Sequence, residues 1–325
     1  MIFIFFICII IGLLVLTISA DKFVDSSSVI AKLLGMPPLL IGMLIIGFGT
    51  SAPELVVSIL ASFEGNPGIA IGNAYGSNIT NIALVLGTTA LFRPILVESQ
   101  VIRRELPILI GITLISVSLL FDLNLSRIDS LILLLIFAGL MGWTIYQSFN
   151  NKQDKFSEEV DEELDSIPST QNIKKVVLVL IISLVLLIVS SRVLVYGAVG
   201  IATYLGVSDL IIGLTIVALG TSLPELASSI IAIKKGETDL AIGNIIGSNL
   251  LNSLAVVGIS GVISPVDIEK EFFNRDIMIM TALTISLFVM GYGFKKDGEI
   301  TRPKGILLLI SYISYIGYLV KISIR

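Results

Sequence analysis

The chain has 325 residues, of which 55% are hydrophobic and only 14% charged, with a net charge of -4 and a mean hydropathy of +0.99. A soluble protein of this length needs roughly a quarter of its residues charged to cover its surface, so the composition excludes a water-soluble globule and points to a polytopic membrane protein. The single cysteine, Cys8, leaves no intrachain disulfide or thiolate metal site, and the lack of histidine removes the usual zinc ligand and the base of most serine or cysteine catalysis, so an enzyme is not expected.

In chain order, apolar segments long enough to span a bilayer fall near 2–19, 38–62, 69–92, 105–121, 128–147, 174–203, 209–233, 240–263, 275–293 and 303–322, ten in all. The N-terminal segment has no basic flank of the kind a cleaved signal peptide carries and reads as the first span. One hydrophilic, acidic stretch interrupts the series, Ser148 to Lys175, with few aromatic residues. It reads as a flexible linker over 148–173, between a first set of five helices over 1–147 and a second over 174–325.

Basic residues set the orientation. Loops on the side shared by both termini hold five lysines and arginines, and the other side holds fifteen. Both termini are therefore expected outside and the linker in the cytoplasm of a multi-pass cell-membrane protein. Arg192 falls inside the sixth segment, toward its outer end, where its side chain is expected to snorkel.

The halves repeat. Glu225 lies 171 positions after Glu54, and the same offset relates Gly42 to Gly213, Asn73 to Asn244, Ser77 to Ser248 and Asn81 to Asn252. About half of positions 42–87 are identical to their partners in 213–258 without a gap. Five helices per half is an odd number, so the second half enters the membrane upside down. The expected fold is an all-α membrane protein of ten transmembrane helices in two inverted five-helix repeats, an architecture typical of secondary transporters with a midplane site.

The repeated core is "GTSAPE" at Gly49–Glu54 and "GTSLPE" at Gly220–Glu225. Pro53 and Pro224 have no N–H, so the carbonyls of Gly49 and Gly220 lose their helical partners. Such groups are tolerated in a membrane only where protein or a polar cavity satisfies them. Thr50, Ser51 and Glu54 then gather oxygens on nearby faces of one turn. The next helix carries Asn73, Ser77 and Asn81 at steps of four, and Asn244, Ser248 and Asn252 reproduce that stripe. Together these segments would enclose a cage of oxygen ligands, which suits hard cations such as Ca²⁺ and Na⁺ and offers nothing soft to copper or zinc. An acid at the bilayer centre costs about 2.5–3.5 kcal/mol on insertion scales. Glu54 and Glu225 together carry a charge that one Ca²⁺, two Na⁺ or two protons would neutralise, and competition for them is a physical route to antiport.

Other polar and small residues have blander readings. Gly72, Gly76, Gly243 and Gly247 form GxxxG spacings and are expected to pack helices. Asn78 and Asn249 sit beside the stripe as possible helix-to-helix hydrogen-bond partners. Ser58 and Ser229 are expected to bond back to their own helices.

"GFGTSAPELVVSILASFEGNPGIAIGNAYGSNITNIALVLG" and "ALGTSLPELASSIIAIKKGETDLAIGNIIGSNLLNSLAVVG" resemble the two alpha-repeats of the cation/calcium antiporter superfamily, in its prokaryotic sodium/calcium exchanger branch. The resemblance covers essentially the whole chain. It implies a central Ca²⁺ site from Glu54 and Glu225 with Thr50 and Thr221. Flanking Na⁺ sites would add Ser51, Ser77, Asn81, Ser222 and Ser248, with the carbonyls of Gly47 and Ala218. It also implies alternating access, with the segments 2–19 and 174–203 sliding against the rest, transported Ca²⁺ and Na⁺ in place of a cofactor, a lipid bilayer and no nucleic acid as partners, and a monomer. One position departs: Asn252 stands where some exchangers of this kind carry an aspartate, so the cage holds two acids. The rival readings are a proton/calcium antiporter, a passive cation channel and an intramembrane protease. The last lacks both a histidine and mid-depth aspartates.

Overall fold

The computed structural model describes residues 2–34, 36–98, 101–150, 173–205, 218–292 and 298–323. Residues 151–172 of the expected linker and 206–217 at the start of the expected seventh span, Gly213 among them, lie outside the described residues.

Helix α1 (Ile2–Leu34) runs well past the end expected at 19. The polar stretch "SADKFVDSSS" holds no proline or glycine to stop it, and Phe23, Val24, Ile30 and Ala31 keep one side of the added turns buried. The next segment breaks as Pro53 requires. Helix α2 (Pro38–Thr50) and helix α3 (Ala52–Phe63) meet at Ser51 with a 45° bend. Pro53 sits in the first turn of α3, where a missing N–H is harmless and its fixed φ suits the helix.

Helix α4 (67–92) continues from Pro67–Thr80 through a wide π-turn at Asn81–Leu86 into Gly87–Phe92. Strand β1 (Ile95–Val97) follows, then helix α5 (101–119), strand β2 (Asn124–Leu125) and helix α6 (Arg127–Asn150). The second half contributes α7 (Ile173–Tyr204), α8 (Ala218–Thr221), α9 (Leu223–Lys235), α10 (Thr238–Ile263), strand β3 (Val266–Asp267), α11 (Lys270–Gly291), strand β4 (Gly298–Ile300) and α12 (Arg302–Ser323). The all-α expectation therefore needs one correction. Two short antiparallel ribbons join loops of the two halves, β1 with β4 in the register Ile95↔Ile300 and β2 with β3 in the register Leu125↔Val266. Alternation in Ile95-Leu96-Val97, buried, exposed, buried, is what a half-covered strand requires.

Among the described residues six helices are long and apolar enough to cross a membrane, and the bent pair α2–α3 makes a seventh. The chain is a helical membrane protein whose helices divide into two kinds. The apolar window of α10 is 89% buried within the protein, against 17% in α1, α6 and α12, so α10 is the centre and the others present apolar side chains to lipid.

Close approach at that centre depends on glycine. A Cβ at Gly42 would lie 2.6 Å from the Leu240 carbonyl oxygen, and one at Gly247 would collide with the Met43 backbone. Gly243 is as crowded, against Leu39 and Gly42. Gly72 and Gly76, expected to pack in the same way, meet nothing among the described residues where a Cβ would go. The segment 171 positions after Pro38–Gly42 lies outside the described residues.

Correspondence at the 171-residue offset reaches beyond the repeated motifs. Helices α3 and α9 both end on a left-handed glycine, Gly65 (φ 78°) and Gly236 (φ 84°). Arg104 and Glu105 pair at 3.4 Å at the start of α5, and Arg275 and Asp276 pair at 2.8 Å at the start of α11. Thr113 and Thr284 each donate back to the carbonyl four residues earlier.

Candidate cation site at the paired helix breaks

The two broken helices meet at their breaks. Ser51 and Ser222 occupy matching backbone positions, φ -84°, ψ 7° and φ -91°, ψ 6°, and each turns the chain into the helix that carries its glutamate. Thr50, Ser51, Glu54, Thr221, Ser222 and Glu225 are all buried. Ser51 Oγ donates to Glu225 Oε1 at 2.8 Å, across the repeats. Thr50 lies beside the same carboxylate, and Thr221 lies beside Glu54, beyond a formed hydrogen bond. Each carboxylate is thus faced by the hydroxyls of the other half, and the two carboxylates are close enough to interact electrostatically.

The striped helices close the sides. Asn244 joins the halves: it accepts from Thr50 Oγ1 at 3.2 Å and donates to the Glu225 carbonyl at 3.1 Å and to Ser229 Oγ at 2.7 Å. Asn73 makes the equivalent bond to the Glu54 carbonyl at 3.2 Å and to Ser58 Oγ at 3.1 Å. Further along, Asn81 donates to Asn249 Oδ1 at 3.2 Å and Asn78 to Ser253 Oγ at 2.8 Å. Ser248 Oγ donates to the Gly47 carbonyl at 3.1 Å, and Ser77 is buried on the other stripe. Ala218 opens α8, one turn before the second break.

This centre contains oxygens with nothing to bond. Both oxygens of Glu54, Oε2 of Glu225, Oδ1 of Asn81, Ser222 Oγ and the whole amide of Asn252 are buried without a hydrogen-bond partner. Leaving buried polar atoms unmatched costs about 1–3 kcal/mol each, more when they are charged. A hard cation is the partner that the oxygens of this set fit, because it needs acceptors; the Asn252 Nδ2, a donor, lies outside that match. Among the described residues no group of three or more His, Cys, Asp or Glu side chains is assembled. The oxygens that surround the two glutamates are those of hydroxyl and amide side chains and of backbone carbonyls.

A sequence profile of the family described as sodium/calcium exchanger protein matches residues 4–146 and 175–321. The chain belongs to the sodium/calcium exchanger family. Within it, the chain is 45% identical over 308 residues to CaxA of Alkalimonas amylolytica, covering 94% of this chain and 96% of that protein. It is 29% identical to the sodium/calcium exchanger MaX1 of Methanosarcina acetivorans, with coverage of 96% and 97%. The solved sodium-calcium exchanger NCX_Mj superposes with a TM-score of 0.83 at 30% identity, over 98% of this chain and 99% of that one. The protein is accordingly a multi-pass transporter of the prokaryotic cation/calcium antiporter branch.

For this exchanger-family chain the structure also corrects one residue-level expectation, at Ser58 and Ser229, and adds detail at other positions. Ser58 and Ser229 do not bond back to their own helices; they accept from Asn73 and Asn244, and back-bonding falls instead to Ser62 and Ser228. The Gly220 carbonyl, freed by Pro224, accepts from Ser191 Oγ on α7 at 2.8 Å, so a hydroxyl satisfies it. The Gly47 carbonyl already accepts from the Ser51 N–H and from Ser248. Arg192 is exposed, which fits the expected snorkelling of its side chain.

Proposed function

We propose that the chain exchanges Na⁺ for Ca²⁺ by alternating access through the buried centre between the two helix breaks. The observation that carries this reading is the meeting of Glu54 and Glu225, one from each half, among buried oxygens that lack donors. Ca²⁺ would bind between the two carboxylates with Thr50 and Thr221. Na⁺ would use the same carboxylates with Ser51, Ser77, Asn81, Ser222, Ser248 and Asn252 and the carbonyls of Gly47 and Ala218. Because both ions need Glu54 and Glu225, loading one expels the other, and the loaded cage is the one whose charge permits crossing.

The supporting architecture in this reading is ten spans in two inverted repeats, 1–147 and 174–325, acting as a monomer with both termini outside. Offset correspondence in the Gly65/Gly236 turns and in the Arg104–Glu105 and Arg275–Asp276 pairs favours the repeat.

The test is ⁴⁵Ca²⁺ uptake into proteoliposomes loaded with Na⁺, with K⁺ or with acid buffer. Uptake from Na⁺-loaded vesicles alone, lost in Glu54→Gln and in Glu225→Gln, is the expected result. Uptake driven by acid loading would instead establish proton coupling, and uptake indifferent to loading would make the protein a channel.

A further inference from the structure

The two halves agree in sequence along α1 and α7 without a gap. Ser19 matches Ser190, Val24 matches Val195, and "IAKLLG" from Ile30 matches "IATYLG" from Ile201. At the same offset Asp21 on α1 corresponds to Arg192 on α7. Lys235 at the end of α9 corresponds to Glu64 at the end of α3, and the left-handed glycine that follows each of the latter two shows that the turns are equivalent. The first half's helix carries the acid and the second half's the base, and the two helix ends carry the opposite charges in reverse. Both cross-repeat combinations, Asp21 with Lys235 and Arg192 with Glu64, are therefore of opposite sign.

Only one of them is closed. Lys235 Nζ lies 2.7 Å from Asp21 and 2.5 Å from Asp25, and it also donates to the Asp21 carbonyl at 3.1 Å. α1 lies along α9 there. Glu64 and Arg192 are both exposed, and among the described residues neither side chain forms a hydrogen bond or an ion pair. Helix α1 packs along α9, whereas α7 has no comparable packing along α3 among the described residues. The two halves thus match in sequence along this face but differ in contacts.

We propose that Arg192 and Glu64 form a second ion-pair latch, the inverted counterpart of Asp21–Lys235, and that the two close in alternation; this rests on the alternating-access reading above. Helices α1 and α7 are built to move together. Gly12 lets α1 approach Leu194 closely, with a Cβ there only 2.9 Å from the Leu194 backbone, and Gly197 lies against Phe5 and Cys8. A joint shift that lifts Asp21 away from Lys235 carries Arg192 in the same direction, toward Glu64 at the end of α3. With Lys235 on the cytoplasmic side, the described state is closed there and open outside, and the Glu64 latch closes the outer side. Lys235 meets two acids, whereas the position matching Asp25 is Tyr196, so the pairs are unequal and the described state is the favoured one at rest.

The experiment uses the full chain with Cys8→Ser in proteoliposomes. Asp21→Cys/Lys235→Cys and Glu64→Cys/Arg192→Cys are each treated with a bis-maleimide of about 10 Å span, since a direct disulfide needs Cα atoms within about 7 Å. Each pair is expected to cross-link, with yields that change in opposite directions when Na⁺ and Ca²⁺ are exchanged between the two faces. Failure of the Glu64/Arg192 pair to link, while the Cys8→Ser parent exchanges ⁴⁵Ca²⁺ in matched vesicles, overturns the latch alone. Absence of counter-ion-dependent exchange in the unsubstituted protein overturns the antiport reading and the latch with it. A charge swap gives an independent check. Arg192→Glu is expected to slow exchange about fivefold, the upper range for an exposed pair, and adding Glu64→Arg to restore it to within about twofold. A swap that leaves the deficit unrepaired removes the pairing.

Discussion

At the scale of single residues the cage is held by amides that were visible in the sequence only as a polar stripe. Asn244 is fully buried, accepts from Thr50 and donates to the Glu225 carbonyl and Ser229, so its removal leaves buried partners in both halves. Asn244→Ala is expected to destabilise the protein by about 1–3 kcal/mol and to raise the half-saturating Ca²⁺ concentration, both measurable in detergent by thermal unfolding and in vesicles by uptake. Asn73→Ala, at a position only partly buried, is expected to do less. A larger effect from Asn73 would show that the first half holds its glutamate more tightly. Asn252 invites the opposite change. Its amide has no partner on either atom, so Asn252→Asp places a third carboxylate where nothing present opposes a cation. The variant is expected to bind Ca²⁺ more tightly, read as a lower half-saturating concentration, and an unchanged value would place Asn252 outside the ion path.

Helix-scale features divide into those a sequence can announce and those it cannot. The break at Ser51 was legible because a proline removes a donor and the loss is local. Two carboxylates in one cage were legible from the duplication alone. The π-turns at Gly42–Gly47, Asn81–Leu86 and Leu251–Val256 were not, since a wide turn leaves no mark in residue type and is set by what the helix packs against. The extra turns of α1 were missed for a related reason. Charges such as Asp21 and Lys22 look like the end of a span, but burial of Phe23 and Val24 against the protein continues the helix. Glycine contacts belong with these tertiary facts. Gly247→Val sets side-chain atoms into the Met43 backbone, and overpacking of that kind costs about 1–3 kcal/mol. A clear loss of melting temperature is expected there, whereas Gly76→Ala, in open space among the described residues, is expected to leave it within a degree or two. Equal losses at both sites would mean that Gly76 packs on the segment outside the described residues.

On the scale of the whole molecule, function turns on which face each half presents, and sequence speaks to that through the distribution of basic residues. In the expected topology, Lys22, Lys32, Arg93, Lys234 and Lys235 share one side of the membrane and the Glu64–Asn66 turn lies on the other. Positive charge is retained on the cytoplasmic side during insertion. The α9 turn should then face the cytoplasm and the α3 turn the exterior, even though they are equivalent positions of one repeated unit. That opposition is the physical content of an inverted repeat: a single turn, used twice, on two sides. It is tested with Asn66→Cys and Lys234→Cys, both at exposed positions, in the Cys8→Ser background. A membrane-impermeant maleimide added to intact cells is expected to label Asn66→Cys at once and Lys234→Cys only after permeabilisation. Labelling of both from one side would abolish the inversion, and with it the reason for two glutamates from opposite directions to meet at one cage. Labelling in the reverse order would keep the inverted repeat and turn the described state around, so that the Asp21–Lys235 pair closes the outer face instead.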